Sequence, residues 1–338
     1  MKYVTCVNIL LYCKGPSVPH TILYSISEEQ ILHGVELYDS TQELSDQMAW
    51  PQQKDFELKL EGDFVARIRM LIPPEVIENE GVQHPTIIFV SGIPGEQVVN
   101  YKWGADFATY LASNKSWVVV LMDVRGSGGE ELSREYQPAW NLGHYEALDH
   151  LSIAKYLGEN FDLVDEKRIG VLGKGHGGYN ALRMLSCDKH GVIACTAAIN
   201  PITDWMNYAS YYSEKFMGTA RVVPGGNFRG YEDSTLLRRG MDYFNKSLYI
   251  IHGSADTDVL YSHTLKFSKE LIREGVLFRQ QSYADDNHSL EDSLLHVYRS
   301  LEEYFANCFP PFEEEEVESI LELKMEQFSE KSVNNREK

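Results

Sequence analysis

Apolar residues fall into two patterns along this chain. Unbroken runs at 86–90 (TIIFV), 117–122 (WVVVLM), 168–172 (RIGVL), 193–199, 247–252 (SLYIIH) and 277–282 predict strands, most of them buried on both faces. Between and after them, residues 107–112, 149–156, 181–185, 262–274 and 290–308 space their apolar side chains as helices do. Strands alternating with helices predict an α/β fold built on a doubly wound, mostly parallel sheet. Ahead of this series, residues 55–73 alternate apolar and polar around Glu61-Gly62-Asp63, which predicts a β-hairpin. Residues 1–45 read as short strands and turns, broken at Gly15-Pro16 and Pro19. Their apolar stretch 3–13 (YVTCVNILLYC) is roughly half the length of a membrane span and contains Asn8, so a buried strand is expected there. It also lacks, in any clear form, the charged start and small-residue cleavage site of a secretory signal. Beyond Pro310-Pro311, the run Glu313-Glu314-Glu315-Glu316 makes 310–338 an acidic tail, expected to be solvated or weakly docked; the alternative is a further helix with Val317, Ile320, Leu321, Met325 and Phe328 near one face.

Composition narrows the function. The 338 residues are 43% hydrophobic, enough for a sizeable core in one large domain or two modest ones. A formal net charge of −19 argues against a nucleic-acid partner, because phosphate binding requires clustered Lys and Arg. The five cysteines, Cys6, Cys13, Cys187, Cys195 and Cys308, form no C-x-x-C pair, so neither a metal site nor a thioredoxin-like site is expected.

In a parallel sheet the working residues collect at the carboxyl ends of strands. After 168–172 comes Gly173-Lys174-Gly175-His176-Gly177-Gly178-Tyr179, the glycine spacing of a nucleophile elbow, G-x-S-x-G. Its central position is Gly175, which has no side chain to attack with. After 247–252 comes Gly253-Ser254-Ala255-Asp256, and after the following strand Asp285-Asp286-Asn287-His288. Nucleophile, Asp, His is the chain order of α/β-hydrolase triads, with Asp256 orienting the imidazole and His288 as the base. The same glycines could instead cradle a dinucleotide phosphate, but that role belongs to the first strand of a sheet and this strand is the third. No cofactor is therefore expected.

Widely spaced segments carry a resemblance: Asp123-Val124-Arg125-Gly126-Ser127-Gly128, Leu142-Gly143, Gly177-Gly178-Tyr179, Pro201-Ile202-Thr203-Asp204-Trp205, Ser213-Glu214-Lys215-Phe216-Met217-Gly218 and His252-Gly253-Ser254-Ala255-Asp256. In this order they resemble the dipeptidyl peptidase IV family of prolyl oligopeptidase-type serine peptidases. The resemblance covers about residues 11–309. It implies the end of a β-propeller at 1–45, an α/β-hydrolase domain at 46–309, and a tail at 310–338 outside it. Active members carry serine where Gly175 stands, and an oxyanion-holding tyrosine where Ser91 stands. With Gly92-Ile93-Pro94-Gly95-Glu96-Gln97-Val98-Val99, these departures resemble the inactive dipeptidyl peptidase-like branch, its tenth-member type in particular. That branch comprises membrane glycoproteins serving as auxiliary subunits of voltage-gated potassium channels.

The resemblance further implies a degenerate oxyanion site at Ser91 and His176, and a substrate pocket of Trp205, Tyr208, Tyr212 and Val259, which plain core packing would explain as readily. It implies a Cys195–Cys308 disulfide, hence an oxidising compartment, at the extracellular face of the plasma membrane or in the secretory pathway. Asn114 and Asn245 stand in glycosylation sequons. Homodimerisation through residues 290–309 is implied as well. The expected function is that of a pseudoenzyme acting through protein partners. The alternative is a serine-type dipeptidyl peptidase releasing X-Pro or X-Ala dipeptides, which would need a substitute nucleophile such as His176, Ser127 or Ser254. Non-covalent ligand binding by Tyr208, Tyr212 and His288 is compatible with the first.

Overall fold

The computed structural model describes residues 7–36, 43, 45–76, 81–129 and 131–309. Chain order begins with a three-stranded antiparallel sheet, β1 (Asn8–Cys13), β2 (His20–Ser25) and β3 (Gln30–Glu36). The expectation that 3–13 forms a buried strand is overturned in its burial. The described part is the strand Asn8–Cys13, but Leu10, Leu11 and Tyr12 are 71%, 42% and 53% exposed. The physical reason is that strand side chains point to the faces of their sheet, and among the described residues neither hydrophobic core includes a residue of β1–β3.

The second sheet has eight strands: β4 (Gln52–Lys59), β5 (Val65–Ile72), β6 (His84–Val90), β7 (Val118–Asp123), β8 (Val164–Lys174), β9 (Cys195–Ile199), β10 (Ser247–Gly253) and β11 (Arg279–Tyr283). Across the sheet they run β4-β5-β7-β6-β8-β9-β10-β11. From β7 to β11 every pairing is parallel, and only β5 opposes its neighbours. β4 and β5 form the expected hairpin, registered from Gln52↔Ile72 to Lys59↔Val65, and Gly62 takes φ 75° in its turn.

Among the described residues the helices that follow are α1 (Phe107–Lys115), α2 (Leu132–Glu135), α3 (Tyr145–Asn160), α4 (His176–Cys187), α5 (Ser210–Met217), α6 (Phe228–Ser234), α7 (Ser262–Arg273) and α8 (Leu294–Cys308). One core joins Ile68, Val120 and Ile250 of the sheet to Leu157, Leu182 and Phe267 of α3, α4 and α7. The other joins Ile87, Val119 and Tyr249 to Leu111, Leu301 and Phe305 of α1 and α8. The alternating strand faces thus serve two separate helix layers, which is why the strands read as unbroken apolar runs. β11 departs from that pattern: it is RQQSY, an edge strand, and Leu277 just before it is 90% exposed.

Helix boundaries moved where polar residues are buried. The helix expected at 149–156 starts at Tyr145, because Glu146, Asp149 and His150 lie on its buried face with partners waiting. Helix α4 starts at His176 rather than 181, and the last helix starts at Leu294 after a left-handed Leu290. Cys195 and Cys308 are disulfide-bonded, tying the first residue of β9 to the last of α8, while Cys13 and Cys187 are free thiols. Asn114 and Asn245 are exposed. Cys6 and the acidic tail, with its alternative of a helix around 317–328, lie outside the described residues.

Candidate active site

The site is assembled at the carboxyl ends of β6, β8 and β10 and the segment after β11. β8 delivers the chain into a tight turn at Gly175, φ 57° and ψ −114°, and α4 begins at the next residue. Backbone bonds pin the turn: Gly175 N–H donates to Ile199 O at 2.9 Å, and Gly175 O accepts from Tyr179 N at 3.1 Å and Ile202 N at 3.2 Å. The neighbouring glycines are steric necessities. A Cβ on Gly173 would lie 2.1 Å from Gly177 O, and one on Gly177 would lie 2.1 Å from Val90 O. Gly143 faces Tyr179 in the same way, its Cβ position lying 2.3 Å from the ring edge, so Leu142-Gly143 and Gly177-Gly178-Tyr179 are two sides of one contact.

Gly175 differs. A Cβ there would lie 3.5 Å from both Cε1 and Nε2 of His288, an ordinary contact. The space is open and points at an imidazole; glycine at this position removes only the strain that a positive φ imposes on a side chain.

His288 Nδ1–H donates to Asp256 Oδ2 at 2.7 Å, leaving Nε2 facing Gly175. The side chain of Asp256 is fully buried, and its Oδ1 accepts from the N–H groups of Asp258 at 2.8 Å and Val259 at 2.9 Å. Burial acts to raise the Asp256 carboxyl, but the bond from His288 and the two backbone donors outweigh it and hold it below the usual carboxylate range. His252 is a member that motif reading missed. Its Nε2–H donates to Val259 O at 2.8 Å and stands 3.6 Å from Asp256 Oδ2, while Nδ1 meets Thr264 Oγ1 at 2.7 Å. Burial lowers its pKa, so it supports Asp256 as a neutral ring. Its place in His252-Gly253-Ser254-Ala255-Asp256, four residues ahead of the aspartate on the same strand end, was the available signal.

A cavity of about 670 Å³ opens in front of this pair, its lining including Ser91, Glu96, Gly175, His176, Tyr208, Tyr212, Val259 and His288. Trp205 is not part of the lining: fully buried, it packs behind the tyrosines, 5.8 Å from Tyr208 and 5.9 Å from Tyr212 between ring centres. His176 is buried, its Nδ1 2.8 Å from the Tyr212 hydroxyl and its Nε2 without a partner; burial pushes its imidazole down to about 3. The Ser91 hydroxyl donates to the Glu96 carboxylate. Ser127 and Ser254 are not in the lining, and Ser254 Oγ accepts from Asp285 N at 2.9 Å. Among the described residues no cluster of His, Cys, Asp and Glu could hold a metal ion.

Chemically, the arrangement has a base and its orienting carboxylate facing a position that lacks a nucleophile. The sheet order and this pairing define the class as an α/β-hydrolase fold. Within that class the chain belongs to the prolyl oligopeptidase family, whose model matches residues 103–311. Its relatives include venom dipeptidyl peptidase 4 of Apis mellifera, 29% identical over 88% of this chain and 38% of that protein. Human prolyl endopeptidase FAP is 30% identical over 88% and 39%, and inactive dipeptidyl peptidase 10 of Rattus norvegicus 29% identical over 89% and 37%. The crystal structure of Porphyromonas gingivalis dipeptidyl peptidase 4 superposes with a TM-score of 0.78 at 25% identity, over 89% of this chain and 43% of that one. The chain therefore spans about two fifths of the length of the curated relatives it matches.

Proposed function

We propose that this chain is a catalytically inactive dipeptidyl peptidase-like domain that works by associating with other proteins. The observation that carries this reading is Gly175: the elbow, His288 and Asp256 stand in order, and the one position that must supply an attacking atom has none. Without a nucleophile, an oxyanion site and substrate binding supply only about 10³–10⁴-fold over water. With serine at 91 bonded to a carboxylate, the oxyanion contribution shrinks further. In this reading β1–β3 are the end of a propeller, the partner is a voltage-gated potassium channel by resemblance to the inactive branch, and a second copy docks near α8, where Leu294 and Leu295 are 38% and 65% exposed. The same resemblance supports residence at the extracellular face of the plasma membrane or in the secretory pathway.

A second reading, serine-type dipeptidyl peptidase activity, is favoured by the intact Asp256–His288 pair and by relatives named as peptidases. Release of p-nitroaniline from a Gly-Pro substrate separates the two. The wild type is expected to be silent, with turnover appearing in Gly175→Ser or in Gly175→Ser/Ser91→Tyr. Wild-type turnover that disappears in His288→Ala would overturn the proposal.

A further inference from the structure

The connection 218–227, between α5 and α6, is fixed at its base and unsupported at its tip. Asn227 N–H donates to Thr219 O at 2.7 Å. The Asn227 side chain spans the neck: its Nδ2 donates to Met217 O and Trp140 O, both at 2.8 Å, and its Oδ1 accepts from Gly230 N at 3.2 Å. The Tyr231 hydroxyl donates to Gly218 O at 2.8 Å. Beyond this neck the support ends. Among the described residues, no N–H from Ala220 to Gly225 donates a hydrogen bond. Val222 and Val223 are 80% and 51% exposed, and the exposed Arg221 guanidinium has no ion pair or hydrogen bond among the described residues.

A protease must draw several residues around the scissile bond into its cleft, so it selects segments whose local opening breaks few bonds. Opening 220–225 breaks one backbone bond, from Gly226 N–H to Val223 O at 2.9 Å. Several basic residues outside helices are held more firmly. The amide that follows Lys102 donates to Lys14 O at 2.9 Å, that following Lys174 to Ile199 O at 2.9 Å, and that following Lys189 to Asp188 Oδ1 at 3.1 Å. The side chains of Arg238 and Arg239 are tied to Glu232 and to Asp233 O.

We propose that Arg221–Val222 is a processing site for an arginine-directed serine protease, and that the cut yields a two-chain protein joined through Cys195 and Cys308. Trypsin-type enzymes take a basic side chain against a carboxylate in their specificity pocket, and an unpaired guanidinium at a loop tip meets that need. The step is hydrolysis: water adds to the Arg221 carbonyl carbon and the C–N bond to Val222 breaks. It leaves a carboxylate on Arg221 and an ammonium on Val222, with nothing oxidised or reduced. Residues 1–221 keep Cys195 and the strands through β9, while residues 222–338 keep Cys308, β10 and β11. β9 and β10 pair from Cys195↔Ser247 to Ile199↔Ile251, so the sheet joins the two pieces as well as the disulfide does. The bond from Asn227 N–H to Thr219 O also crosses the cut and keeps the new ends together.

The test is brief digestion of the full, unreduced chain with a low ratio of trypsin, followed by intact mass spectrometry before and after reduction. Among residues 7–309 the first cut is expected after Arg221. It should give a single species one water heavier before reduction, and two pieces, one ending at Arg221 and one beginning at Val222, after it. Arg221→Gln should slow that cut by about tenfold or more, while Arg221→Lys, which keeps a cation for the protease, should leave it close to the wild-type rate. All three proteins should melt at the same temperature, so that a difference in cutting reports the site and not the fold. A first cut elsewhere within 7–309, pieces that separate without reductant, or a rate unchanged in Arg221→Gln would overturn the inference.

Discussion

Gly175 and its neighbours show how one motif can hold residues present for different reasons. Gly173 and Gly177 are glycine because backbone lies 2.1 Å from where their Cβ atoms would be, whereas Gly175 has room and differs only in its φ of 57°. Substitution should separate the two causes. Gly175→Ser is expected to lower unfolding free energy by about 1–2 kcal/mol, the scale of a strained backbone position. Gly173→Ala and Gly177→Ala should each cost more, since rigid backbone must move. Equilibrium urea denaturation of the three variants checks the order; equal losses would show that the clashes relax. The elbow, Asp256 and His288 were legible as residues in the sequence because strand ends and glycine spacing are local signals. The contacts of His252 with Val259 and Thr264, and of Ser91 with Glu96, were not, because nothing in spacing tells which way a side chain turns. Trp205 illustrates the converse: it was expected to line the pocket by resemblance, and instead it forms the wall behind the residues that do.

Among the elements, α3 is the one whose start the apolar pattern hid. Its first turns carry Glu146, Asp149 and His150 inward, a face that looks polar in sequence and is buried in the fold. Arg125 Nε donates to Asp149 Oδ2 at 2.8 Å and its guanidinium lies 4.4 Å from the Tyr145 ring centre, so partners from the β7 segment make the burial tolerable. Glu146 is satisfied less fully: both carboxyl oxygens lie 3.0 Å from the single N–H of Gly143, and burial pushes its pKa up to about 8. The folded chain therefore holds a proton that an unfolded Glu146 releases near 4.5. The stabilisation is fully present below that value and is lost as pH rises through about 8. Glu146→Gln should flatten the decline in stability across this window and unfold later than the wild type at pH 8. Thermal melts at several pH values measure it, and an unchanged slope would mean that Glu146 ionises freely in the fold. Strand types were readable, since β6 to β10 are buried on both faces. Their lateral order was not, because β5 and the β7–β6 crossover are fixed by how helices cover the sheet.

At the scale of the molecule, the disulfide between Cys195 and Cys308 closes a loop with a sequence separation of 113, spanning α5 to α8 and the Asp256–His288 pair. Cross-linking so long a segment restricts the unfolded chain and contributes roughly 4–5 kcal/mol on the chain-entropy model. Cys308→Ser is expected to lower the unfolding midpoint accordingly, with little effect on binding at the cavity, which lies at the other end of β9. A midpoint insensitive to both the substitution and to reductant would show that the bond contributes nothing. The separation of β1–β3 from the main sheet also belongs to this scale. Its exposed Leu10 and Ile31, 71% and 59% accessible, form apolar surface that the described residues leave uncovered.

The conformation at Gly175 also sets a direction for sequence change. A side chain at φ 57° is held there against its own preference, so exchanging it for glycine releases strain while the interlocked glycines on either side keep the turn intact. The reverse exchange reintroduces the strain. Exchange toward glycine at this turn is therefore downhill and exchange away from it uphill, so the turn behaves as a ratchet whose backbone keeps its shape whichever residue occupies the position.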